Sequence, residues 1–129
     1  MSPRQPDSPT YPSLSAPGFG RAVVDGEEVT KDFILRADGS PKRRKKKPVK
    51  ALYGTSHVIG PEELERVCKG APKTLVIAAG YSGMAHLSKD GRAFLADRGI
   101  AVEVLPTPDA FARFTHLPSP KALLAHLTC

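Results

Sequence analysis

The stretch Pro72–Gly83, "PKTLVIAAGYSG", decides the fold. From Lys73 to Ala79 it runs into consecutive apolar positions rather than alternating ones. A strand of that kind needs cover on both faces, which is how strands sit in parallel sheets. Downstream, Ser88 is placed to cap a helix running through Arg98, with Ala93 and Phe94 inside it and Gly99 as a stop. Ile100–Leu105 then reads as a second strand. Strand, helix and strand within about thirty residues make a parallel βαβ unit with a right-handed crossover.

Beyond it, Thr107-Pro108-Asp109 is a strong helix start. Thr suits the cap, Pro the first helical position and Asp the positive end of the dipole. Ala110–Phe114 forms the short body, and "KALLAHLTC" (Lys121–Cys129) fits strand or helix equally by periodicity. Upstream, Pro61 opens a helix with Glu62 and Glu63 at its start. Leu64, Val67 and Cys68 form its inward face, and Gly70 and Pro72 end it. "FGRAVVDGEEVTKDFILRADGS" (Phe19–Ser40) holds two extended runs around Asp25-Gly26, a hairpin signal, and a second turn at Ala37–Ser40. The expected order is thus a β-meander followed by βαβ-type units in one α/β domain, residues 18–129. Residues 1–17 carry five prolines among polar residues and are expected to be a disordered tail.

A chain of 129 residues with 40% hydrophobic and 25% charged residues suits one globular domain. It has neither an apolar run of about 20 residues nor a signal-type N-terminus. Two cysteines, Cys68 and Cys129, fit reduced thiols better than a disulfide framework, so the expected location is cytoplasmic. The net charge of +6 has one source. Lys42, Arg43, Arg44, Lys45, Lys46, Lys47 and Lys50 supply seven of the 19 basic residues, and the other twelve face 13 acids. The remainder of the chain nets −1 and lacks the broad basic face of a duplex binder.

Several segments carry a resemblance. "YGTSHVIGPEEL" (Tyr53–Leu64), "TLVIAAGYSG" (Thr74–Gly83), "GIAVEVLPTPDAFARF" (Gly99–Phe114) and the terminal "HLTC" (His126–Cys129) resemble the Mth-domain family. This family of small α/β domains includes an animal adipogenesis-associated protein and, more distantly, a mitochondrial complex I assembly factor. The likeness covers Phe19 to Cys129. It implies a single three-layer domain with a mixed central sheet and Lys121–Thr128 as a strand. It implies no reaction. The family's usual Asn after the aromatic of the short helix is Thr115 here.

Candidate chemistry is sparse. Gly80, Tyr81, Ser82 and Gly83, after a buried strand, form either an ordinary turn or a ligand cradle to which His57 could contribute. The loop lacks both the G-x-G-x-x-G spacing and a Walker lysine. His57, His86, His116 and His126 are scattered, with no zinc-type spacing, so neither metal nor cofactor is expected. His126 and Cys129 are three apart and would face opposite sides of a strand, so no catalytic residue is assigned. Lys42, Arg43, Arg44, Lys45, Lys46 and Lys47 read best as a local positive edge meeting an acidic partner or an anion. Nucleic acid is a weaker alternative, because no aromatics interleave the run. The leading functional expectation is a non-enzymatic domain acting by protein association. The alternative is a small anionic ligand or an enzyme site at Gly80–Gly83.

Overall fold

The computed structural model describes residues 9–129. A central five-stranded mixed sheet has the order β5-β4-β10-β7-β9. Its strands are β4 (Phe33–Leu35), β5 (Pro41–Arg43), β7 (Thr74–Ala79), β9 (Ala101–Leu105) and β10 (Lys121–His126). β10 lies between β7, to which it is parallel, and β4, to which it is antiparallel. β9 is parallel to β7 on the other side. The meander at the start is a separate sheet of β1 (Leu14–Gly18), β2 (Arg21–Val24) and β3 (Glu27–Val29). Its β2–β3 turn places Asp25 and Gly26 at φ of 50° and 82°, as a twist-matched two-residue turn requires. A short parallel pair, β6 (Val58–Ile59) and β8 (His86–Leu87), completes the strands.

Successive residues of the central strands point to opposite faces, so the apolar run of β7 feeds two cores. Leu75 and Ile77, with Ile34 and Leu124, pack under α2 (Pro61–Val67) and α3 (Lys89–Asp97). Val76 and Ala78, with Leu35 and Leu123, pack against Phe111 and Phe114 of α4 (Thr107–His116) and the inner face of the meander sheet. This is the three-layer α/β arrangement. β10 is buried along its whole length, which its two hydrogen-bonded neighbours require and which decides its strand character.

Three local expectations need correction. Within the stretch read as a tail, residues 1–8 lie outside the described residues. Leu14–Pro17 instead belong to β1, and the Tyr11 hydroxyl donates to the Ala37 carbonyl at 2.7 Å. The domain therefore begins before residue 18, held by Tyr11 edge-on to Phe114. Thr107 does not cap α4; Pro106 holds the cap position, and the threonine hydroxyl is used elsewhere. The local positive edge is a sheet edge only over Pro41–Arg43, which is β5; Lys46–Tyr53 is a helix, α1. Pro48 sits in its first turn, where a missing N–H costs nothing. Val49 is its one buried residue, with Leu52 and Tyr53 following at i+3 and i+4 on the same face.

Candidate functional site

The centre of the molecule's polar chemistry lies where β10 ends, beside the start of β4. Asp32 immediately precedes β4, and its side chain is 2% exposed. It accepts hydrogen bonds from His126 Nδ1 at 2.8 Å, the Leu127 N–H at 2.9 Å and Arg44 Nη1 at 3.1 Å. Lys46 Nζ approaches it at 3.5 Å. Arg44 is fully buried and forks onto Glu63, with Nε to Oε2 at 2.6 Å and Nη2 to Oε1 at 3.0 Å. Its Nη2 also donates to the Ser56 carbonyl at 2.7 Å. Among the described residues no buried side-chain nitrogen or oxygen lacks a partner, so the network is complete.

The electrostatics follow from this wiring. Burial alone would raise the Asp32 carboxyl, but the hydrogen bonds from His126 and Leu127, with the nearby His126 and Lys46 charges, hold it well below the usual carboxylate range. Burial works against the Arg44 charge as well; Glu63 and Asp32 outweigh it and keep the guanidinium above its ordinary value. A completed buried network of this kind is costly in desolvation and contributes little net stability over an apolar core. It does fix His126, whose Nδ1 is committed to Asp32 and whose ring is 1% exposed.

His126 is one wall of a small cluster. Its ring meets that of His57 edge to face, with centroids 5.2 Å apart. His57 Nε2 lies 3.3 Å from Cys129 Sγ. Burial, then the proximity of His126 and Arg44, lowers the His57 pKa. Sequence spacing kept these residues apart: His57 and Cys129 are 72 positions distant. The chain leaves strand geometry after His126, so the i, i+3 rule that separated His126 from Cys129 no longer applies.

The Gly80–Gly83 turn holds this corner together. Gly80 has φ of +96°, and a Cβ there would stand 2.3 Å from the Cys129 carbonyl carbon and 2.9 Å from His126 Cδ2. Only glycine combines that backbone with so close an approach. The Tyr81 N–H donates to the Thr128 carbonyl at 2.7 Å, the Met84 N–H to the Cys129 carbonyl at 2.9 Å and the Gly83 N–H to the Gly80 carbonyl at 3.1 Å. Thr107 Oγ1 accepts from the Gly80 N–H at 3.0 Å and donates to the His126 carbonyl at 2.7 Å. Ser82 is exposed, and the Tyr81 hydroxyl reaches the Arg21 carbonyl.

The basic run divides in two. Arg44 turns inward, whereas Lys42, Arg43, Lys45, Lys47 and Lys50 are exposed. Among the described residues none of these five meets a carboxylate within 4 Å. Lys31, Arg43, Lys45, Lys46 and Lys47 line an open groove of about 630 Å³ with Asp32 in its wall. Tyr81, Ser82 and His57 do not line it; Asp32 is what the groove and the histidine cluster share.

Solved structures share this architecture. The conserved hypothetical protein PH1505 from Pyrococcus horikoshii OT3 is similar with a TM-score of 0.81 at 28% identity, covering 91% of this chain and 99% of that one. The structure called MT938 is similar with a TM-score of 0.74 at 29% identity, covering 92% and 99%. Xanthomonas campestris XCC1710 shares the fold at 20% identity, with a TM-score of 0.70 over 98% of this chain and 91% of that one. No curated protein matches the chain. The family model for proteins of unknown function DUF498/DUF598 matches residues 14–125, and the chain belongs to that family.

Proposed function

We propose that this domain works by associating with an acidic protein surface through Lys42, Arg43, Lys45, Lys46 and Lys47. The observation that carries this reading is the placement of lysines on the positive end of α1. Lys45 is its N-cap, Lys46 and Lys47 fill its first turn, and no acidic residue stands in that turn; Lys46 reaches the buried Asp32, while Lys45 and Lys47 meet no carboxylate among the described residues. Cations there oppose the helix dipole, at a cost of about 0.3–1 kcal/mol each when exposed. An anionic partner reverses the sign of that term and also draws on the N–H groups of the helix start. β5 adds an unpaired outer sheet edge carrying Lys42 and Arg43. The Mth-type identity of the domain belongs to the same proposal, supported by the order of elements and by Thr107–Ala110 and His126–Cys129.

A labelled Glu/Asp-rich peptide, titrated by fluorescence anisotropy at low and moderate salt, tests the reading beside duplex DNA and single-stranded RNA of equal charge. The peptide is expected to bind more tightly than either nucleic acid, weakening as salt rises. Tighter binding of DNA or RNA moves the surface to nucleic acid, and no binding to any probe at low salt removes the reading.

A further inference from the structure

We propose that His57, His126 and Cys129 form a binding site for a divalent transition-metal ion, zinc being the ion the donor set fits best. The donor atoms of the three residues all lie within 4.8 Å of one another. A tetrahedral zinc with bonds of about 2.0–2.1 Å to nitrogen and about 2.3 Å to sulfur sets its N and S ligands roughly 3.5 Å apart. Cys129 Sγ and His57 Nε2 already stand 3.3 Å apart. Two imidazoles and one thiolate are soft enough to favour zinc over magnesium or calcium.

The surroundings match what a metal-binding histidine needs. His126 gives its Nδ1 to Asp32, leaving Nε2 as the ligand atom, and a carboxylate behind a ligating histidine is the usual orienting partner. Asp32 is in turn held by Arg44 and the Leu127 N–H, and Arg44 by Glu63. That gives the completed charge network a task its modest stabilising power does not explain. Cys129 is fixed by the Met84 N–H on its carbonyl and by the glycine at residue 80 that lets it approach. Two polar contacts are displaced: Thr128 Oγ1, 3.3 Å from His126 Nε2, and the contact between Cys129 Sγ and His57 Nε2, also 3.3 Å. Binding replaces the thiol proton, which leaves to solvent, with the metal. Three protein ligands leave a fourth position for water or another donor. This site is independent of the acidic-partner reading.

The experiment uses the full chain, stripped with a chelator, titrated with Zn²⁺ by calorimetry and with Co²⁺ by absorbance. One ion per chain and a thiolate-to-cobalt charge-transfer band are expected. The band is expected to vanish in Cys129→Ser and persist in Cys68→Ala. His57→Gln should weaken Zn²⁺ binding at least tenfold, and Asp32→Asn about 10–100-fold. Circular dichroism establishes that each variant remains folded. No binding by the wild-type chain, or wild-type affinity and band in folded Cys129→Ser and His57→Gln, overturns the proposal.

Discussion

Replacing Arg44 with Met separates the two halves of the basic run. The substitution keeps volume and stem but removes the cation between Asp32 and Glu63, whose side chains are 2% and 6% exposed. It takes away the fork onto Glu63, the bond to Asp32 and the bond to the Ser56 carbonyl. Removing one partner of a buried pair costs about 3–5 kcal/mol, because the charges left behind stay desolvated. Against a typical domain stability of about 5–15 kcal/mol this is a large share. Urea unfolding by circular dichroism reads it directly. With a slope near 2 kcal/mol per molar, the midpoint should fall by about 2 M. Lys42→Met and Lys47→Met, on exposed neighbours, should change stability by less than about 0.5 kcal/mol. A cost for Arg44→Met below about 1 kcal/mol, indistinguishable from these two, would refute the buried-network reasoning.

Other consequences can be measured on the same protein. Asp32 has its pKa lowered in the fold, so its contribution is complete above the unfolded carboxylate value of about 3.9 and is lost as pH falls through the folded value. The melting temperature should therefore drop steeply below about pH 4. Asp32→Asn should be less stable at pH 7 and show a flatter acid limb. Gly80→Ala should lose at least about 1–3 kcal/mol from backbone strain alone, with further loss from the clash with Cys129. A cost under 0.5 kcal/mol, on the order of an ordinary surface change, would contradict that geometry. Burial pushes the Cys68 thiol up to about 11, and that residue is 8% exposed, so alkylation of the folded, chelator-stripped protein at pH 8 should label Cys129 alone. Mass spectrometry should find both thiols labelled after denaturation.

The fold was legible where burial leaves a mark on residue order. The apolar run of Leu75–Ala79, the Asp25-Gly26 turn and the Ser88 cap each report a local requirement, and the structure uses each as such. The helix Lys46–Tyr53 was missed although Val49, Leu52 and Tyr53 fall at i, i+3 and i+4: the pattern spans barely two turns, and the surrounding lysines gave the segment the look of a charged edge. Thr107 misled for a related reason. A threonine before Pro-Asp suits a cap, but here its hydroxyl meets a better-placed carbonyl on β10. The site was least legible. Glu63 lies on α2, His126 ends β10, and Asp32 and Arg44 sit in the connections before β4 and after β5; nothing in their spacing marks them as partners. No signal singled out Arg44: its neighbour Arg43 carries the same planar fork and lies exposed.

The proposed association is tested most directly by native affinity capture with two forms of the protein, wild type and Lys42→Ala/Lys45→Ala/Lys47→Ala, followed by mass spectrometry. The three side chains are exposed and make no ion pair with another described residue, so both forms should melt within a few degrees of each other. Wild type should recover a specific protein with an acidic surface, released by moderate salt and missing from the triple variant. Equal recovery of the same partner by both forms, or recovery of no protein by either, would contradict the role given to the lysine edge.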